Sequence, residues 1–461
     1  MAGQSFDLVV IGSGPAGQKG AINAAKLGKK VALVERRAIV GGTCVNTGTI
    51  PSKTLREAVL YLTGFRERAF YGRYYSLKED ISLKDLSSRV DMVVAKEIEV
   101  IRAQLRRNGV TTFEGTARFV DAHTLEVEGG ERLALRADYI LVACGTRPAR
   151  DEHIPFDGSR VLDTDELHRL SRVPREAIVV GAGVIGLEYT AILSALNVRV
   201  TLIDQRPVFL DFVDKQIVDC LAYHLRSRGV VFRLGERVVS VHLEAERDRV
   251  VAELESGKSV HGDILLYAAG RKPNTDLLDL GAALLAPGPR GKLEVNETFQ
   301  TAVPHIYAAG DVIGFPALAS TSLEQGRLAT SHMFGIPARH TPSTIPYGIY
   351  TIPEISMVGP SEEQLTASKV RYEVGVARYA ELAKGHMLGD EDGLLKLLFD
   401  PGSLKLLAVH CIGERAAEIV HIGQAVLSLG ATIEYFRDTV FNYPTLAEAY
   451  KVAALAGLNR L

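Results

Sequence analysis

The sequence predicts an α/β protein: two doubly wound parallel sheets, then a third domain of mixed α+β character. Three observations predict it. A strand, glycine turn, helix and strand open the chain at 7–35, and the same unit returns at 177–204. From about residue 340 the chain changes character, punctuated by Pro342, Pro346 and Pro353. Parallel strands joined by a helix build doubly wound sheets. The length of 461 residues suits about three domains of roughly 150 residues each.

In the first unit, 7–11 is an apolar strand and Gly12-Ser13-Gly14-Pro15-Ala16-Gly17 is the turn. The helix is expected over 18–27, with Ala21, Ile22, Ala24, Ala25 and Leu27 on its apolar face and Gly28 at its end. Strand 31–35 closes the unit on Glu35. Next, 77–108 reads as a charged helix and 112–135 as short strands. Segment 139–145 reads as a buried strand ending in a glycine turn, and 264–270 and 305–311 repeat that signal. The second unit runs from strand 177–180 through Gly181-Ala182-Gly183-Val184-Ile185-Gly186 to strand 198–204, which ends on Asp204. The two glycine turns start 169 residues apart, so the unit is a duplicated fold element rather than a short-period repeat.

Composition excludes several classes. A net charge of -2 with no long basic block leaves nucleic-acid binding without an electrostatic footprint. No apolar run approaches the roughly 20 residues that span a bilayer, and the N-terminus runs into a strand rather than a signal peptide. A soluble, cytoplasmic protein is expected. The four cysteines, Cys44, Cys144, Cys220 and Cys411, form no C-x-x-C pair and have no zinc-like histidine spacing, so neither a disulfide framework nor a metal site is expected. Cys144, Cys220 and Cys411 read as buried packing residues.

Each glycine turn follows a strand, opens a helix and leads to an acidic residue, the context a dinucleotide fingerprint requires. The first glycine permits the tight turn, the second lets the backbone approach a pyrophosphate, and the third lets helix and strand pack closely. The helix N-terminus then offers N–H groups and a partial positive charge. Two such turns mean two dinucleotide sites on Rossmann-like domains. Glu35, 18 residues after Gly17, is placed for ribose hydroxyls. Asp204 lies at the same spacing after Gly186 and favours the 2′-OH of NAD(H). Arg206 follows it, and arginine suits a 2′-phosphate. Two readings of Arg206 stand: a phosphate grip for NADP(H), or a solvated loop residue.

The stretch 41–53, Gly-Gly-Thr-Cys-Val-Asn-Thr-Gly-Thr-Ile-Pro-Ser-Lys, resembles the redox loop of the flavin-dependent disulfide oxidoreductases. That family carries two cysteines five positions apart; here they are Cys44 and Thr49, and threonine forms no disulfide. The family's C-terminal His-Pro-x-x-x-Glu is matched at Glu448, but Tyr443 stands at the histidine position. Tyrosine, with an ordinary pKa of about 10, is a poor proton shuttle at neutral pH. Both departures occur in one subgroup, the soluble pyridine nucleotide transhydrogenases, whose G-T-I-P-S-K and N-Y-P-T-x-A-E-A-Y segments this chain shares at 48–53 and 442–450.

The resemblance implies FAD at the first fingerprint and NAD(H) or NADP(H) at the second. It implies an FAD-binding domain over 1–148 and 270–338, an NAD(P)-binding domain over 149–269, and a dimerisation domain over 339–461. The FAD site would use Gly12, Gly14, Pro15, Ala16, Gly17, Glu35, Arg36, Gly42, Thr43, Cys44 and Lys53. It would also use Gly115, Thr116, Ala117, Cys144, Gly145, Thr146, Gly310, Asp311 and Ala319. The nicotinamide site would use Gly181, Gly183, Val184, Ile185, Gly186, Glu188, Asp204, Arg206, Gly270 and Arg271. The catalytic set would be Lys53, Glu188, Cys44, Thr49, Tyr443 and Glu448, with a Lys53–Glu188 contact expected because a buried ammonium needs a counter-charge. Cys44 reads either as inert or as a thiolate against the flavin.

The implied activity is hydride transfer from NADPH to flavin N5 and then to NAD⁺, in a homodimer or higher homo-oligomer. A diaphorase or NAD(P)H oxidase shares the frame and differs only in its acceptor. Dihydrolipoamide dehydrogenase is disfavoured by Thr49 and Tyr443. A flavin-binding, redox-sensing module is the non-enzymatic alternative.

Overall fold

The computed structural model describes residues 4–72, 74–130, 132–167, 170, 172–244, 248–337 and 344–461. Pro342 and the expected 338/339 boundary lie outside the described residues. The chain forms two compact units: Met1–Thr54, Ser87–Ala149 and Gly270–Thr341 in one, Leu55–Leu86, Arg150–Ala269 and Pro342–Leu461 in the other.

The first unit opens with β1 (Gln4–Ile11), α1 (Pro15–Lys26) and β2 (Val31–Glu35). α1 starts inside the glycine turn, three residues before the expected position, because Pro15 at its first turn presets a helical φ. The parallel sheet runs in the order Thr111–Glu114, β2, β1, Arg132–Val142. Strand Arg132–Val142 crosses what read as two separate segments. Its first half alternates buried and exposed and pairs antiparallel with Thr124–Glu128. Its last three residues, Ile140 to Val142, are buried and pair parallel with β1 and Ile306–Ala308. The period changes because the first half serves a half-exposed hairpin and the second an enclosed parallel sheet.

In the second unit a parallel sheet runs Val231–Leu234, Arg199–Asp204, Glu176–Val180, Ile264–Tyr267, Val161–Asp163. Beyond it lies an antiparallel sheet in the order Tyr347–Ile349, Ile355–Val358, Leu406–Ile412, Leu394–Phe399, Glu373–Arg378. Helices Ala416–Ser428 and Glu448–Leu458 pack against this sheet, giving the expected α+β character. Strand Leu394–Phe399 is buried along its whole length, yet it contains Lys396. That ammonium is held by both oxygens of Asp214 at 2.9 Å and by Glu362, the pairing a buried charge requires.

The charged helix expected over 77–108 spans Leu83–Arg107. It starts later because Ser82 and Asp85 form a capping box: Ser82 N–H donates to Asp85 Oδ2 at 2.8 Å and Asp85 N–H to Ser82 Oγ at 3.3 Å.

Candidate nucleotide and redox sites

The glycine turn after β1 has hard steric limits. Gly12 has φ +104°, and a Cβ there would lie 2.4 Å from the Ala143 carbonyl oxygen. A Cβ on Gly17 would lie 1.9 Å from the Gly12 carbonyl oxygen. At Gly14 a Cβ meets nothing within 4 Å, so the N-terminus of α1 faces open space, and no side chain caps it. Backbone N–H groups opening onto free space fit a pyrophosphate, so the residues present suit a dinucleotide. Glu35, at the tip of β2, accepts the Ser13 N–H at 2.9 Å and hydroxyl at 2.5 Å, and the Arg37 N–H at 3.1 Å. Gly115 N–H donates to the Glu35 carbonyl at 2.9 Å, bringing Gly115 and Thr116 to the same edge. Ala117 is buried in the core and Arg36 is exposed.

The redox loop folds onto this turn. A Cβ on Gly42 would lie 2.8 Å from Gly14 Cα. Cys44 lies in α2 (Gly42–Asn46), and Thr49 opens α3 (Thr49–Leu62), which carries Lys53 one turn later. Cys44 is a free, half-buried thiol. Burial pushes the thiol above its ordinary range, the Thr49 hydroxyl and Lys53 pull it back, and Asp311 and Glu97 add to the rise; the net shift is upward. Lys53 Nζ lies 3.4 Å from Ser52 Oγ.

A third wall comes from the ends of two other strands. Thr43 Oγ1 donates to the Thr146 carbonyl at 3.4 Å, and Thr146 Oγ1 to Asp311 Oδ2 at 3.3 Å. Arg271, expected at the nicotinamide site, lies in the first unit and donates through Nε to Thr146 Oγ1 at 2.8 Å and through Nη2 to the Thr146 carbonyl at 3.0 Å. Gly270 clusters with the first unit as well. Burial raises the Asp311 carboxyl above its usual range, with Arg271 and Thr146 partly reversing it. Ala319 opens helix Ala319–Met333, where Gly326 meets Ala16: a Cβ on Gly326 would lie 2.0 Å from the Ala16 carbonyl oxygen. Two site residues escaped the sequence reading. Asn274 holds the 144–145 turn through Nδ2 to the Cys144 carbonyl at 2.9 Å, and Gln325 Oε1 accepts the Gly310 N–H at 2.8 Å.

The second fingerprint repeats the first almost number for number. Gly181 has φ +106°, with a Cβ position 2.5 Å from the Ala268 carbonyl oxygen, and a Cβ on Gly186 would lie 1.9 Å from the Gly181 carbonyl oxygen. Gly183 again faces open space. Val184 and Ile185 start helix Val184–Ala195. Ala182 N–H donates to Asp204 Oδ2 at 2.6 Å, as Ser13 does to Glu35. Arg206 grips Asp204 with its backbone N–H at 2.8 Å, Nε at 3.0 Å and Nη2 at 2.8 Å. Burial raises the Asp204 carboxyl, but these bonds outweigh it and hold it below the usual carboxylate range.

Glu188 is buried on the same helix and accepts the Tyr350 N–H at 2.9 Å. Tyr443 is 71% exposed. Glu448 opens helix Glu448–Leu458, its Oε2 shut off from solvent with no hydrogen-bond partner among the described residues. Cys411 is fully buried, but Cys144 and Cys220 are only half-buried, contrary to the expectation for all three. Burial pushes Cys144 and Cys411 up to about 12.

The pyridine nucleotide-disulphide oxidoreductase family model matches residues 6–326, and the dimerisation domain of that family matches 345–454. The chain belongs to this family. It is 52% identical to a soluble pyridine nucleotide transhydrogenase of Mycobacterium tuberculosis, over 99% of this chain and 98% of the relative. It is 46% identical to one of Serratia proteamaculans with the same coverage of both. Among solved structures, LpdA from M. tuberculosis is similar with a TM-score of 0.90 and 26% identity, over 98% of this chain and 99% of that one. The HOCl-induced flavoprotein disulfide reductase RclA from Escherichia coli is similar at 0.87 and 27%, with the same coverage. Among the described residues no helix is long and apolar enough to cross a membrane, and no group of three or more acidic, histidine or cysteine side chains is placed to hold a metal ion.

Proposed function

We propose that the chain is an FAD-dependent soluble NAD(P)⁺ transhydrogenase that passes hydride from NADPH to NAD⁺. The observation that carries this is Thr49, which opens α3 five positions after the free thiol Cys44. It stands where the family's thiol chemistry needs a second sulfur, so no disulfide can drain electrons at this position. The names of the similar relatives support the reading.

The glycine turn at α1 would hold the FAD pyrophosphate, Glu35 the ribose hydroxyls, and Asp311, fixed by Thr146, the ribityl chain. When bound, FAD supplies the ring that exchanges hydride with a nicotinamide. The turn at Gly183 would hold the nicotinamide dinucleotide. Asp204 would accept the adenosine 2′-OH of NAD(H). Arg206, already against Asp204, would turn its guanidinium to the 2′-phosphate of NADP(H). Lys53 would offset negative charge developing on the reduced flavin. Tyr443 would take no part in proton transfer. One site serving both nicotinamides makes the kinetics ping-pong. The match to the dimerisation domain, together with exposed Leu429, Tyr435, Val440 and Leu455, supports a homodimer.

Anaerobic stopped-flow absorbance tests this. NADPH should bleach the flavin band and NAD⁺ should restore it at a comparable rate. Bleaching that reverses only with oxygen or a quinone would instead make the protein an oxidase or diaphorase. Reduction of lipoamide would restore thiol chemistry to the account.

A further inference from the structure

Within the second unit, two arginines on different segments stack on one aromatic ring. The guanidinium carbon of Arg228 lies 4.7 Å from the Phe65 ring centroid and that of Arg68 lies 5.5 Å away. Arg228 follows helix Lys215–Ser227 as its C-terminal cap, and His224 sits one turn earlier. Arg228 Nη1 and His224 Nε2 are both shut off from solvent, and neither has a hydrogen-bond partner among the described residues. Arg68 gives its hydrogen bonds to the carbonyls of Tyr75 and Thr63, both at 3.3 Å, rather than to a carboxylate.

The surrounding charges leave a surplus of positive charge. Neighbouring Arg56 is committed to Glu57 at 2.8 Å and Glu354 at 3.5 Å. Asp392 lies 3.7 Å from His224 Nδ1 and is 66% exposed. Burial and then repulsion from Arg68 and Arg56 push the Arg228 guanidinium down to about 10, with Asp392 only partly offsetting them. A helix C-terminus and an aromatic ring both favour a cation, which accounts for one arginine. They do not account for the half-buried second guanidinium of Arg68 beside it, or for the idle Nη1 of Arg228, because buried donors are ordinarily bonded.

We propose that Arg228, Arg68 and His224 form an anion site for a small oxyanion of the phosphate class, taken as free phosphate or as the phosphate group of a nucleotide. The guanidinium fork matches phosphate geometry, the idle Arg228 Nη1 supplies a donor, and His224 Nε2 supplies a second in its Nε2–H tautomer. The inference does not depend on the hydride exchange proposed above, and its readout is not activity.

The test is thermal melting of the FAD-loaded protein with NAD⁺ at saturation, so that the dinucleotide turns are filled. Potassium phosphate at about 20 mM is compared with potassium chloride at equal ionic strength, and AMP is a third arm. Phosphate is expected to raise Tm by about 2 °C or more over chloride, as ligand binding to the folded state alone does. Arg228→Met, which keeps the packing on Phe65, should abolish the shift, while Arg206→Ala should retain it. Should Arg228→Met fail to fold, Arg68→Met reads the same loss. A larger shift with AMP, lost in the same variant, assigns the site to a nucleotide phosphate; a larger shift with phosphate assigns it to the free ion. Equal melting in phosphate and chloride, or a shift that survives Arg228→Met, overturns the proposal.

Discussion

Arg206→Ala should separate the two nicotinamides. Arg206 makes two side-chain hydrogen bonds to Asp204, at 3.0 and 2.8 Å, and is 47% exposed. With NADPH bound, those donors have a doubly charged phosphate to serve. A charge-assisted hydrogen bond to an ionised group contributes about 1.5–3 kcal/mol, and half-exposure discounts it toward the lower end by solvent screening. Loss of about 1.5–2 kcal/mol lowers kcat/KM for NADPH by roughly 10–30-fold. The loss is compounded because Asp204, held ionised, would then face the phosphate without a counter-charge. For NADH the sign differs: removing Arg206 leaves Asp204 free to accept the 2′-OH, so kcat/KM should be unchanged or slightly raised. The assay is steady-state reduction of thionicotinamide-NAD⁺ by each donor in turn. Equal losses for NADPH and NADH would refute the reasoning, because Arg206 would then be holding the loop rather than reading the phosphate. An unchanged NADPH rate would refute it too.

Three further outcomes are expected. Cys44, its thiol raised by burial, should react with iodoacetamide at pH 8 more slowly than free cysteine; alkylation at the free-thiol rate would contradict this. Gly186→Ala places a methyl 1.9 Å from the Gly181 carbonyl oxygen, so it should cost about 2–3 kcal/mol or displace the turn, abolishing flavin reduction by NADPH while FAD stays bound; a variant with normal reduction rates would show that the turn can yield. His410 is fully buried, and burial holds its imidazole below the ordinary value of about 6.5 despite the pull of Asp214. A depressed folded pKa means the unfolded chain binds the proton first, so stability is present above about pH 6.5 and lost as pH falls below it. Tm should therefore drop between pH 7 and 5, and the drop should be shallower in His410→Gln; an identical pH dependence in that variant would remove His410 from the account.

What the sequence made legible follows from how hard each constraint is. The fingerprint glycines were readable because a Cβ at Gly12, Gly17, Gly181 or Gly186 collides with a carbonyl oxygen. Where the constraint is soft, the reading drifted. Strand Arg132–Val142 looked like two elements because its burial pattern changes midway. The helix at Leu83 was placed early although Ser82 and Asp85 spell its cap. Asn274 and Gln325 were missed because a lone loop or helix amide carries no motif; their roles arise from chain segments distant in sequence. Arg271 was named only through the family resemblance, and its donation to Thr146 carried no signal in the sequence. Lys396 and Asp214, 182 positions apart, carried no signal at all.

The two fingerprints are nearly the same object, and that sameness locates the difference in cofactor choice. Both place a backbone N–H on the carboxylate that ends the second strand, Ser13 on Glu35 and Ala182 on Asp204. Both open their second glycine to free space. Glycine geometry therefore selects only for a pyrophosphate, which every candidate cofactor has. The neighbours of the carboxylate differ. Glu35 is bonded by the Ser13 hydroxyl and by backbone N–H groups, a neutral set that leaves its full negative charge toward a ribose. Asp204 has Arg206 across both of its oxygens. A carboxylate alone rejects a 2′-phosphate by repulsion, and an arginine alone forgoes the hydrogen bond to a 2′-OH. On the proposed reading, the pair would present either face at the cost of rotating one half-exposed side chain and would let a single site read two dinucleotides that differ by one phosphate. Asp204→Asn would separate this from simple neutralisation: it removes the repulsion but keeps an acceptor for the 2′-OH, and should favour NADPH while leaving NADH within a few-fold. A loss of both would mean that the Asp204–Arg206 pair builds the turn rather than choosing the ligand.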